Sequence, residues 1–268
     1  MAGRQPIAAV RDTRLGAVPG RVYVPQALLP ATQPRPTLVF LHGGGFVYGG
    51  LDSHDGVCRL LAERAGVQVI AVDYRLAPEH PFPAAYDDCV AAYAWILEHA
   101  VELSVDPERV AVGGDSAGGN LAIGVARAAA EAGLPLAWQL LVYPVTDMVN
   151  RSGSRDLFAQ GFFLTQGFMD LAADSYLPQR EDRADPRASP LLAEPPPGLA
   201  PALVVTAGFD PLRDEGEAYA QQLSRAGIEV TLRREDALIH SFLNWVAVGR
   251  TSRAAVLSIA DDLAAALR

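Results

Sequence analysis

The stretch Val110–Asn120 reads V-A-V-G-G-D-S-A-G-G-N and continues as L-A-I-G-V-A-R-A-A-A. It begins as an apolar β-rich run and ends in a helical pattern, so Gly114-Asp115-Ser116-Ala117-Gly118 spans a strand-to-helix turn. A G-x-S-x-G turn of this kind holds its serine backbone strained and lifts the hydroxyl above the sheet. The residues two before and two after the serine crowd each other, which calls for glycine at both places. The helix starting at Ala117 aims its first amides toward negative charge developing at the serine. Ser116 is therefore the candidate nucleophile.

On either side, short β-rich runs alternate with longer helical ones. Strands are predicted at Thr37–Leu41, Gln68–Asp73, Arg109–Gly113, Trp138–Tyr143, Ala202–Thr206 and Glu229–Leu232. Their near-continuous Val, Ile and Leu content fits burial on both faces of a mostly parallel sheet. An earlier strand around Arg21–Val24 is expected to pair antiparallel at one edge. Helices are predicted at Gly56–Ala65, Ala84–Glu102, Ala117–Ala132, Asp214–Ala226 and Thr251–Leu267. This alternation is the pattern of an α/β fold with helices on both faces of the sheet. Residues 146–201 interrupt it with helical pieces (GFFLTQGFMDLAADSYL) and then Pro-rich sequence (DPRASPLLAEPPPGLAP). Long excursions between core strands tend to be lids or binding loops, so this one is read as a cap over the C-terminal edge of the sheet.

Strand Thr37–Leu41 runs into His42-Gly43-Gly44-Gly45-Phe46. An H-G-G-G loop after an early core strand presents backbone N–H groups to a tetrahedral oxyanion. As a phosphate loop it fails, because no Lys follows. His42 reads as a brace for this loop. Of the other histidines, His80 lies in a proline-locked loop and His99 near a helix end, while His240 follows the last strand and completes the order Ser, acid, His. The acid should lie between Ser116 and His240. Asp210 comes shortly after strand Ala202–Thr206, whereas Asp214 and Glu215 read as first-turn residues that favour the helix dipole, and Asp236 is too close to His240 along the chain. Asp210 is the choice. His240 would then take the Ser116 proton, Asp210 would fix the imidazole tautomer, and water would resolve an acyl-enzyme.

Taken together these residues resemble the hormone-sensitive-lipase-like family of bacterial carboxylesterases, which has the α/β-hydrolase fold. The likeness runs from about Leu38 to the C-terminus and includes Tyr74-Arg75-Leu76-Ala77-Pro78-Glu79, Asp210-Pro211-Leu212-Arg213-Asp214-Glu215 and Ile239-His240. The resemblance implies a nucleophile at Ser116, an acid at Asp210 and a base at His240, with oxyanion amides from Gly44, Gly45 and Ala117. It also implies an esterase for short to medium acyl chains that needs no cofactor. Two departures stand out. Only 41 residues precede His42, fewer than is usual in the family, so the small helical cap is expected to be incomplete or rebuilt from residues 146–201. Ser241 follows His240 where family members commonly carry Gly. The same triad would also serve amide or N-acetyl hydrolysis. A non-catalytic small-molecule receptor on this scaffold is disfavoured because His240 is present.

Bulk properties agree. A chain of 268 residues fits a single α/β-hydrolase domain, taken as residues 1–268 with 1–36 as a short N-terminal segment. A formal charge of −9 with no basic cluster argues against nucleic acid as a partner. Every basic residue is Arg, which excludes Schiff-base chemistry, a P-loop Lys and a Ser-x-x-Lys pair. No zinc-ligand spacing links the histidines, and Cys58 and Cys89 read as small buried hydrophobes, so no metal is expected. No run approaches the ~20 residues of a membrane span, and the expected setting is cytoplasmic and reducing. The expected partner is a small-molecule ester. The edge beyond Glu229–Leu232 offers a place for two copies to pair as a homodimer. Phe46, Tyr48, Phe158, Phe162, Phe163 and Phe168 are candidates for an apolar pocket or for packing.

Overall fold

Strands rich in Val, Leu and Ile need cover on both faces, and the chain supplies it. The computed structural model describes residues 5–30 and 33–268; residues 1–4 and 31–32 of the N-terminal segment lie outside them. The strands are β1 (Ala9–Leu15), β2 (Val18–Val24), β3 (Arg35–Leu41), β4 (Gln68–Val72), β5 (Val105–Asp115), β6 (Trp138–Val142), β7 (Ala202–Phe209) and β8 (Val230–Ile239). They form one sheet in the order β1-β2-β4-β3-β5-β6-β7-β8. Pairing is antiparallel from β1 to β2 and from β2 to β4, and parallel across the rest.

The helices are α1 (Asp55–Ala65), α2 (Ala84–Glu98), α3 (Ala100–Leu103), α4 (Ala117–Ala132), α5 (Gly153–Leu157), α6 (Gln166–Tyr176), α7 (Arg213–Arg225) and α8 (Arg250–Ala266). Alternation along the strands sorts the core into two layers. Val39, Leu41, Ile70, Val110 and Val112 pack with residues of α2, α4 and α7, whereas Leu38, Phe40, Val69, Ala111 and Leu140 pack with α1 and α8. These layers make the mostly parallel α/β-hydrolase sheet expected from the sequence.

Some boundaries differ from expectation. The strand foreseen near Arg21–Val24 is β2, but it is second from the edge. Outside it lies β1, where Gly16, at φ 65°, turns Leu15 back onto Val18. The helix expected to reach Glu102 stops at Glu98. There His99 stacks on Trp95 (ring centroids 4.0 Å apart) and its Nδ1 bonds the Trp95 carbonyl at 3.0 Å. A side chain competing for a helix carbonyl favours such a break. At the far end, β8 runs on through charged residues to Ile239 and brings position 240 to the C-terminal rim of the sheet.

Residues 146–201 carry α5, α6 and two short 3-10 turns. Thr165 caps α6 by accepting a hydrogen bond from the Phe168 amide (3.2 Å). The helix lies against the glycine loop: Phe46 stacks on Tyr176, and a methyl group built on Gly45 would meet Ala172 and Phe168 at 3.0–3.1 Å. Asn120 of α4 ties the residue before the excursion to a point late within it, donating to the carbonyls of Val145 and Ala188 at 2.9 Å each.

Candidate active site

Ser116 follows β5 directly, at φ 55° and ψ −118°. A non-glycine residue in that region carries backbone strain. It is held there because its amide donates to Val142 and its carbonyl accepts from Asn120 and Val145. The flanking glycines are required sterically. A Cβ on Gly114 would fall 2.3 Å from the Leu41 carbonyl, and one on Gly118 would fall 2.0 Å from that oxygen.

The other two predicted triad residues reach the serine through strand register. Phe209 of β7 pairs with Ile239 of β8, so Asp210 and His240 leave the sheet side by side. His240 Nε2 lies 3.0 Å from Ser116 Oγ, and its Nδ1 lies 2.7 Å from Asp210 Oδ2. Asp210 is fully buried, with Oδ1 accepting from the Leu212 amide at 2.9 Å. That is the geometry of a proton relay from a hydroxyl to an imidazole steered by a carboxylate. The Tyr143 ring packs 4.6 Å from the His240 ring and limits its movement.

Gly44 and Gly45 adopt φ 129° and 61°, so the loop bends in a way that L side chains resist. Among the described residues, the amides of Gly44, Gly45 and Ala117 donate to no protein acceptor. The three predicted oxyanion donors are thus unspent beside Ser116. His42 is a brace as expected. It stacks on Tyr74 (4.2 Å), whose hydroxyl donates to the His42 carbonyl, and burial pushes its imidazole down to about 4.

Two cavities meet at Ser116. The larger, about 440 Å³, is lined by Tyr48, Phe163, Phe168, His240, Asn244 and Trp245. The smaller, about 80 Å³, runs under α6 between Phe46, Met148, Leu164, Met169 and Leu212. Of the aromatic candidates, Phe158 and Phe162 pack instead against Phe209.

Asp214 and Glu215 have larger tasks than favouring a helix dipole. Asp214 Oδ2 accepts from the Ser154 amide at 2.7 Å. Glu215 is buried, accepts from the amides of Thr146 and Asp147 at 2.9 and 3.2 Å, and pairs with Arg155 at 2.8 Å. Burial pushes its carboxyl up to about 7 against the opposing pull of Arg155 and the two amides. Sequence reasoning also missed the buried pair Asp115–His54, because nothing local links positions 61 residues apart. Among the described residues no group of three or more His, Cys, Asp and Glu converges on a metal site. Nor, among those residues, is any helix long and apolar enough to cross a membrane.

A family model described as alpha/beta hydrolase fold matches residues 38–244. The chain is 48% identical over 260 residues to the carboxylic ester hydrolase LipN of Mycobacterium tuberculosis, covering 94% of this chain and 67% of that protein. It is 43% identical over 229 residues to the ethyl acetate hydrolase of Pseudomonas putida, covering 84% and 71%. A thermophilic, thermostable carboxylesterase cloned from a metagenomic library superposes with a TM-score of 0.94 at 39% identity, over 100% of this chain and 92% of that one. Sheet order, motif positions and these likenesses agree: the chain belongs to the hormone-sensitive-lipase-like family of carboxylesterases with the alpha/beta hydrolase fold.

Proposed function

We propose that this carboxylic ester hydrolase cleaves esters of short to medium acyl chains through Ser116, His240 and Asp210. His240 Nε2 takes the Ser116 proton as Oγ attacks the ester carbonyl, and the amides of Gly44, Gly45 and Ala117 receive the oxyanion. His240 then protonates the departing alcohol, leaving an acyl-enzyme. Water, deprotonated by His240, attacks that acyl group and releases the acid. The observation that carries the reading is the imidazole of His240 lying within hydrogen-bond reach of both Ser116 and Asp210.

Acyl-chain length follows from space. The cavity of about 80 Å³ under α6 is roughly half the ~150 Å³ apolar cavity that takes up benzene. It suits a short acyl group, with the wider cleft left for the alcohol. The relative named for ethyl acetate hydrolysis supports the short end of the range. In this reading residues 146–201 act as the cap of a single domain spanning residues 1–268. The enzyme needs no cofactor and works in the cytoplasm, in keeping with the free, buried Cys58 and Cys89. A p-nitrophenyl ester series from acetate to laurate tests it. Turnover should peak among the short chains, fall toward laurate and vanish in Ser116→Ala. A maximum at laurate would refute the chain-length reading, and undiminished turnover in Ser116→Ala would refute the nucleophile.

A further inference from the structure

A buried ionisable pair that the triad does not use lies directly behind the nucleophile. Asp115 is 2% exposed and His54 4%. Asp115 Oδ1 accepts from the Gly43 amide at 2.8 Å and lies 3.1 Å from His54 Nε2. Nearby, the Tyr143 hydroxyl accepts from the Leu243 amide at 3.3 Å. His54 is held in turn by Ser53, whose Oγ lies 2.9 Å from Nδ1. One carboxylate therefore joins the glycine loop to the turn before α1.

Two physical points give this network a task. The first is steric and conformational. Gly44 and Gly45 sit at positive φ in a loop with much freedom, and their amides must face one point in space. The residue before them is clamped: a Cβ on Gly43 would fall 2.6 Å from Asp115 Oδ2, so the carboxylate packs directly against that backbone. The second is electrostatic. An uncompensated buried carboxylate one residue from Ser116 would oppose the negative charge that forms during attack. His54 Nε2 lies 3.1 Å from the carboxylate, where a donated N–H offsets that charge. Burial alone would raise the Asp115 carboxyl, yet His54 and the Gly43 amide hold it below the ordinary carboxylate value.

We propose that Asp115, hydrogen-bonded to His54, is a positioning residue for the oxyanion hole: it fixes Gly43 so that the Gly44 and Gly45 amides meet the tetrahedral oxygen. This rests on the triad and oxyanion reading above. The experiment compares wild type with Asp115→Ala, Asp115→Asn, His54→Ala and the double variant His54→Ala/Asp115→Asn. It reads p-nitrophenyl acetate kinetics, thermal melting, and the Ki of a trifluoromethyl ketone, which forms an oxyanion adduct with the serine. Misplacing reacting groups by about 1 Å costs on the order of 100-fold. Asp115→Ala should therefore lose about 100-fold in kcat with little change in KM, and the ketone Ki should rise by the same factor. In Asp115→Asn the side-chain carbonyl still accepts from Gly43, so most of that loss should be recovered. His54→Ala should be impaired by its stranded charge, and adding Asp115→Asn should raise its activity. An unchanged ketone Ki in Asp115→Ala would overturn the proposal, as would Asp115→Asn being as impaired as Asp115→Ala. If Asp115→Ala does not fold, the His54 single and double variants decide, and a double variant no better than the single one overturns it. A wild-type enzyme insensitive to the ketone would overturn the triad reading instead.

Discussion

Replacing Asp210 with Asn changes one atom in a fully buried side chain and should nearly abolish turnover. The structure dictates how the amide must sit. Oδ1 accepts from the Leu212 amide at 2.9 Å, so an Asn must keep its carbonyl there or set two donors against each other. Its NH2 then faces His240 Nδ1, the position now 2.7 Å from Oδ2. Facing a donor, Nδ1 must accept, and the ring proton moves to Nε2. That nitrogen points at Ser116 Oγ, 3.0 Å away, and can no longer take the serine proton. Inverting a triad tautomer in this way costs about 10⁴-fold in kcat, or about 5 kcal/mol at 1.36 kcal/mol per tenfold. Steady-state hydrolysis of p-nitrophenyl acetate should register the loss in kcat, with KM little changed and circular dichroism unaltered. Asp214→Asn is the control, because its carboxylate accepts from the Ser154 amide and does not touch His240. If Asp210→Asn kept kcat within about tenfold while Asp214→Asn lost it, the tautomer reasoning would be wrong.

Ser241 adopts φ 67° and ψ 15°, a left-handed conformation that costs a non-glycine residue about 1 kcal/mol. Ser241→Gly should therefore raise the melting temperature by about 2 °C, and an unchanged or lower value in calorimetry would contradict this. Glu215 supplies a pH prediction. Its folded carboxyl, at about 7, lies above its ordinary 4.5, so its contribution to stability is fully present below pH 4.5 and is lost as pH rises to about 7. Relative to Glu215→Gln, the wild type should lose on the order of 3 kcal/mol across that window. Denaturant melts of both proteins at several pH values would detect it, and a constant difference between them would refute the assignment.

What could be read from the sequence follows from where each residue draws its constraint. Ser116, Asp210 and His240 sit at strand ends with strong local signals, and their meeting follows from the chain order and fold that the motif implies. The glycine pairs were equally legible, since Gly114 and Gly118 answer a contact with the Leu41 carbonyl that every turn of this type makes. In contrast, β1 reads AVRDTRL with mostly exposed residues, because an edge strand needs few apolar side chains to stay paired. The tail of β8, RREDALI, was hidden for the same reason. Burial of Glu215 and the union of Asp115 with His54 depend on distant partners, Arg155 in one case and a turn 61 residues upstream in the other. No local pattern carries that information. The left-handed backbone at Ser241 accounts for the glycine that family members commonly hold there.

The stitching between residues 146–155 and 210–215 has a consequence for how this enzyme can change. Ser154 and Arg155, near the start of the 146–201 excursion, fasten to Pro211, Asp214 and Glu215, a few residues from Asp210. With residues 146–201 as the proposed cap, altering them tugs on the support of Asp210, and substrate range would not drift independently of turnover. A graft that exchanges only residues 156–201 would respect this seam, whereas one cut anywhere inside 146–155 should transplant 210–215 with it.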